Sequence, residues 1–158
     1  MEEIKNISFS KKPIPLPADY RPMYKIAQIV LILKSVCRGN TAKLIKLHLF
    51  SWALKSQNNR EELMNLISSN FESDFSVWGI EPSLNRAVHF AVAEKICEYS
   101  KGSYKLTKKG ENFYKIIEAD AEILKIEKEF LAQIGKSKVT DSKLLEITSK
   151  WTLFNDKN

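Results

Sequence analysis

Between positions 22 and 54 apolar residues recur so densely that a helix drawn through them keeps almost no polar face. From Arg21 to Val36, Tyr24, Ile26, Ala27, Ile29, Val30, Leu31, Ile32, Leu33 and Val36 surround the axis. That pattern predicts a helix buried on every side. Pro22 fits its first turn, and Gly39, in Arg38-Gly39-Asn40, fits its end. A second helix is predicted from a Thr41 cap to about Lys55, with Leu44, Ile45, Leu47, Leu49, Phe50, Trp52, Ala53 and Leu54 again covering most faces. Two such helices either form the centre of the fold or hold apolar surface for another chain. Leu47, Phe50, Trp52 and Leu54 are the candidate partner contacts on the second reading.

The pattern then thins. Asn59 suits the cap of a third helix, Arg60 to Ser69, with Leu63, Met64 and Ile67 inward. Residues 70–81 hold Phe71, Phe75, Val77, Trp78 and Ile80, too aromatic for a free linker, and leave room for a short strand. Leu84, Ala87, Val88, Ala91 and Val92 form one stripe on a helix from Leu84 to Glu94, with Ser83 as its cap. The period next changes from helical to alternating. Ile96 to Tyr99 reads as a strand, Ser100-Lys101-Gly102-Ser103 as a turn, and Tyr104 to Leu106 as the return strand. Thr107 suits the cap of a further helix, whose apolar side is Phe113, Ile116 and Ile117. Helix, two-stranded wing, helix is the outline of a winged helix. The run Tyr104-x-Leu106-Thr107-x-x-Gly110 resembles the wing-to-helix junction of many such proteins. Two more helices follow, Ala121 to Ile134 and Ser142 to about Trp151, the latter capped by Thr140 or Asp141, with fraying expected from Asn155 on.

The fold class is therefore mainly α: a winged helix-turn-helix core with one small β-hairpin and C-terminal helices. Residues 20–118 form the winged-helix domain and 119–158 a helical extension. Residues 1–19 read as an extended arm, because Pro13, Pro15 and Pro17 alternate with Ile14 and Leu16. Those two apolar side chains belong along the body of the protein or along a partner, and join the candidate partner contacts.

Charge adds a partner class. Lys and Arg number 25 against 19 Asp and Glu, a net charge of +6, which favours an acidic partner such as DNA, RNA or an acidic protein face. The excess is concentrated near the hairpin: Lys101, Lys105, Lys108 and Lys109 are candidate phosphate contacts, with Arg86 on the preceding helix. That helix would be the groove-reading element of a DNA binder, yet it offers only Asn85, Arg86 and His89, while Glu94 and Glu98 repel phosphates. Lysines in a tight turn and a first helical turn are also ordinary solvated residues. Lys43, Lys46 and Lys55 read as lysines snorkelling at the edge of a buried surface.

Catalytic chemistry is not legible. The chain has no Gly-rich phosphate loop, no HExxH and no GxSxG. His48 and His89 have no carboxylate or cysteine at ligand spacing and read as core-edge or surface residues. Glu118, Asp120, Glu122, Glu127 and Glu129 read as the solvated face of a helix. Cys37 and Cys97, without a CxxC pattern, read as small buried hydrophobes in a reducing compartment. The expectation is a protein that is not an enzyme and holds no metal or cofactor. The N-terminal stretch lacks a signal-peptide pattern and the longest apolar run is too short to span a bilayer, so the expected place is the cytoplasm, away from membranes.

One resemblance sharpens this. Asp19-Tyr20-Arg21-Pro22-Met23-Tyr24-Lys25-Ile26-Ala27-Gln28-Ile29, continuing through Leu33, Cys37-Arg38-Gly39 and Lys43 to Leu54, resembles the opening of small middle components of bacterial three-component ABC systems, the group that includes Lamassu-type anti-phage defence. With the later wing motif the resemblance covers about residues 19–118. It implies a structural subunit between an SMC-like ABC ATPase and an effector, often a nuclease, in which the winged helix serves assembly. The alternative from the residues alone is a winged-helix DNA-binding transcriptional regulator.

Overall fold

The computed structural model describes residues 21–72 and 81–156, with side chains to residue 149. The described residues form seven α-helices and one small antiparallel sheet. Helix α1 (Pro22–Val36) leads through a 3-10 turn (Arg38–Asn40) into strand β1 (Thr41–Ala42). Helices α2 (Leu44–Leu54) and α3 (Gln57–Ser68) follow. Then come α4 (Pro82–Ala93), β2 (Cys97–Ser100), β3 (Ser103–Leu106), α5 (Lys108–Ala119), α6 (Lys125–Ile134) and α7 (Asp141–Asp156).

Helix α1 is the axis of the molecule and packs against α2, α4, α5 and α6. Every residue from Lys25 to Leu33 is buried, as its all-round apolar pattern requires. Helix α2 is also taken into this core: Leu47, Phe50 and Leu54 are buried and Trp52 is half-buried. Of the two fates open to its apolar surplus, these three side chains take the first, the centre of the fold, and are not a free surface. Ile14 and Leu16 lie outside the described residues, as do the arm and the strand allowed for within residues 73–80.

The sheet has the order β1-β3-β2. Thr41 is not a helix cap. It pairs with Lys105 as an edge strand, its hydroxyl donating to the Tyr104 carbonyl at 3.1 Å. Two residues carry no periodicity, so only the partner strand reveals this one. The hairpin closes tightly: Ser100 pairs with Ser103, and Lys101 and Gly102 both have positive φ, at 53° and 80°. That is the two-residue turn whose twist matches paired strands.

Local signals place most helix ends. Thr107 caps α5 as its sequence suggests, accepting from the Gly110 N–H at 3.1 Å and donating to the Ile96 carbonyl at 2.9 Å. Helix α3 starts earlier than Asn59, because Ser56 is the cap and Asn59 supplies the N–H that it accepts, at 3.0 Å. Ser83 does not cap α4; Glu81 holds that position and Ser83 lies inside the helix. Residues 121–124 are a turn, so α6 begins at Lys125. Helix α4 ends in a Schellman motif, with the Ile96 N–H on the Ala91 carbonyl at 2.9 Å and the Lys95 N–H on the Val92 carbonyl at 3.0 Å. Among the described residues, no helix is long and apolar enough to cross a membrane.

Gly110 marks the closest approach in the hairpin–helix junction. A Cβ there would overlap the Ile96 carbonyl oxygen and press on the Leu106 side chain. Backbone cannot swing away as a side-chain tip can. Gly110→Ala should therefore cost about 2 kcal/mol of stability, overpacking outweighing the roughly 1 kcal/mol gained in helix propensity. A urea unfolding midpoint at or above that of the native chain would refute this.

Candidate functional site

The hairpin, its flanking helices and the start of α1 hold the residues with chemistry to offer. Helix α4 lies against α1 through Leu84, Ala87, Val88 and Ala91, all buried. Its opposite face carries Arg86, His89 and Phe90, all exposed. Asn85 is withdrawn from this face, since its Oδ1 lies 3.0 Å from His48 Nε2. The Glu81 N–H donates to His48 Nδ1 at 3.2 Å, so the proton of the neutral ring sits on Nε2 and is given to Asn85. His48 is thus a buried, twice-bonded side chain that ties α2 to the start of α4. His89 stays on the surface.

The candidate phosphate contacts divide. Lys101 at the turn, Lys105 on β3 and Lys108 at the start of α5 are exposed. Lys105 faces Glu98 across the β2–β3 ladder, which offsets part of its charge. Lys109 is turned back: its Nζ donates to the Glu94 carbonyl at 2.8 Å and lies 3.9 Å from the Glu94 carboxylate. A lysine in the first turn of α5 is disfavoured there, and this contact moves its charge to the C-terminal end of α4, where a cation is stabilising.

The centre of the structure holds a polar network that the sequence reading missed. Lys25 is only 1% exposed, in the first turn of an apolar helix. Its Nζ lies 3.0 Å from Glu81 Oε1 and donates to Ser51 Oγ at 2.9 Å and Gln28 Oε1 at 3.3 Å. Glu81 also accepts from Ser51 and Ser83, each at 2.8 Å, and Lys55 stands 3.5 Å away. Lys55 is therefore explained by this carboxylate rather than by snorkelling alone. Burial by itself would raise the Glu81 pKa, but the Lys25 charge and the hydrogen bonds from Lys25, Ser83 and Ser51 outweigh it and hold the carboxyl below its ordinary value. Burial lowers the His48 pKa, against the opposing pull of Asn85 and Glu81. One signal was available: Lys25 and Gln28, three apart on a helix apolar nearly all round, need buried partners.

Among the described residues no group of three or more His, Cys, Asp or Glu side chains comes together to hold a metal ion. Cys37 and Cys97 are free and buried, and burial pushes their pKa values up to about 11 and about 12. Comparison of the chain with protein-family models, with curated proteins and with solved structures finds no match in any of the three.

Two outcomes follow from the network. Glu81→Ala takes from the buried Lys25 ammonium the carboxylate that stands 3.0 Å away and should cost roughly 3–5 kcal/mol. Lys25→Met should cost less, because Glu81 keeps Lys55, Ser51 and Ser83, and Lys25→Met/Glu81→Gln should be more stable than Glu81→Ala; denaturant titration of the three variants gives the order. The pH dependence has one sign. The folded pKa of His48 lies below its ordinary 6.5, so its contribution is complete above pH 6.5 and is lost as pH falls through the folded value. Glu81, also depressed, contributes fully above pH 4.5 and loses that contribution on further acidification. Stability should therefore fall from pH 6.5 downward, and His48→Asn, which keeps an acceptor for the Glu81 N–H, should flatten the upper part of that fall. An equally steep fall in His48→Asn between pH 6.5 and pH 5 would exclude the assignment.

Proposed function

We propose that this chain is a winged-helix accessory subunit, not an enzyme, that bridges an SMC-like ABC ATPase and an effector, a nuclease, in a cytoplasmic anti-phage defence complex. The element order and the sheet order β1-β3-β2 support the winged-helix reading, with α4 in the place of the recognition helix and β2–β3 as the wing. The observation that carries the bridging role is the outer face of α4. With Asn85 bonded to His48, Arg86 and His89 are what remain of the base-reading candidates, and Phe90 stands beside them 51% exposed. Base discrimination needs several Arg, Asn or Gln side chains on one face. An exposed aromatic next to an arginine instead suits a protein interface.

A second reading, the DNA-binding regulator, is favoured by Lys101, Lys105 and Lys108, which are exposed on the wing and just beyond it, and by the net charge of +6. Non-specific contact with double-stranded DNA is compatible with both roles, because a bridging subunit can touch a duplex that its ATPase clamps.

Co-expression with the two flanking gene products, with only this chain tagged, separates the two. The expected result is a stoichiometric complex with an ATPase at moderate salt, unchanged by Lys105→Glu/Lys108→Glu. Elution of the chain alone, or only with DNA that the double variant no longer holds, would overturn the bridging role in favour of the regulator.

A further inference from the structure

A small cavity of about 100 Å³ opens where the start of α1 meets the first turns of α4. Its walls include Arg21, Pro22, Lys25, Ser83, Arg86 and Phe90, and among the described residues no acidic side chain lines it. Lys25 and Ser83 are already committed to Glu81. The two guanidinium groups are not. Among the described residues Arg86, which is exposed, has no hydrogen-bond or ion-pair partner, and Arg21, half-buried, has its Nε shut off from solvent without an acceptor. A buried donor without an acceptor costs on the order of 1–3 kcal/mol, more for a charged group. Glu81 is matched by Lys25 and Lys55, while Arg21 and Arg86 stand in the cavity wall with Lys25. The N-terminal ends of α1 and α4 add their dipoles to the same side.

We infer that this cavity is a binding site for the phosphoryl group of a nucleotide. The volume admits a compact tetrahedral oxyanion and little more. The Arg21 and Arg86 guanidinium groups, both in its wall, form a pair suited to phosphate oxygens. Phe90, half exposed at the mouth, offers a ring face on which the attached base stacks. The site is distinct from the wing, and it shares Arg86 and Phe90 with the face assigned to the bridging partner, so nucleotide and partner would compete for them.

Inorganic phosphate, acetate, dAMP and a short single-stranded oligonucleotide are titrated separately into the full chain, followed by backbone amide NMR shifts. Phosphate should move the amides of Lys25, Ser83 and Arg86. Arg21→Gln and Arg86→Gln, each checked for a native unfolding midpoint, should each weaken phosphate binding roughly tenfold, the loss of one charge-assisted hydrogen bond. Binding of dAMP should be tighter than phosphate by roughly tenfold, and Phe90→Ala should remove that advantage. Lys101→Gln/Lys108→Gln should leave the dAMP response unchanged. Tighter binding of the oligonucleotide than of dAMP, still dependent on Arg21, would identify a strand as the source of the phosphoryl group, and equal binding a free nucleotide. Shifts confined to the wing, or affinity unchanged in both arginine variants, would overturn the site. Acetate binding as tightly as phosphate would overturn the phosphoryl assignment and indicate an acidic peptide instead.

Discussion

The Lys25–Glu81 contact governs how the helices of this protein meet. An ammonium group in the interior is tolerable only if its charge is matched at short range and its protons are accepted. Lys25 meets both conditions by drawing on α2 through Ser51 and on the residue that starts α4 through Glu81. Apolar packing alone would let α1 rotate or slide against its neighbours at little cost, since it is apolar nearly all round. The buried pair admits one rotation and one register. A well-packed apolar substitute could match its stability while losing that selection.

The same contact fixes helix α4. Its first residues are held by Glu81, whose N–H is bonded to His48 and whose carboxylate is bonded to Lys25. Its last turn is closed by the Schellman bonds and by Lys109. Between those anchors the helix buries one face on α1 and presents the other, so Arg86, His89 and Phe90 stand on a rigid support. The hairpin is attached just as firmly, through Thr107 and the close approach at Gly110. What this face contacts is therefore decided by side-chain chemistry on a fixed frame.

Much of the frame could be read from local pattern. The all-round apolar helix α1, the hairpin turn at Lys101-Gly102, and the Thr107 cap each rest on residues within a few positions of one another. The features that escaped depend on distant residues. Strand β1 is two residues long and exists only because β3 lies beside it. Asn59 and Ser56 are both good caps, and only the bond geometry chooses between them. The apolar surplus of α2 was legible, but Leu47, Phe50 and Leu54 turned inward because α1 gave them a core to enter. Asn85 looked like a reader until His48, 37 positions earlier, was found holding it. The arginine cavity joins residues from both ends of the α1–α4 span, which no spacing along the chain reveals.

The central position of α1 also sets an order of events during synthesis. It is made before every described element that packs on it. Tyr24 must wait for Glu127, to which its hydroxyl donates at 2.8 Å across 103 positions of sequence. At typical translation rates of about 5–20 residues per second, that interval is about 5–20 seconds. Until then this helix, apolar nearly all round, stands without α6, and for the first part of the interval without α4 and α5 as well. It is then a ready target for a nascent-chain chaperone, and the yield of the protein in cells should depend on that protection more than its final stability would indicate.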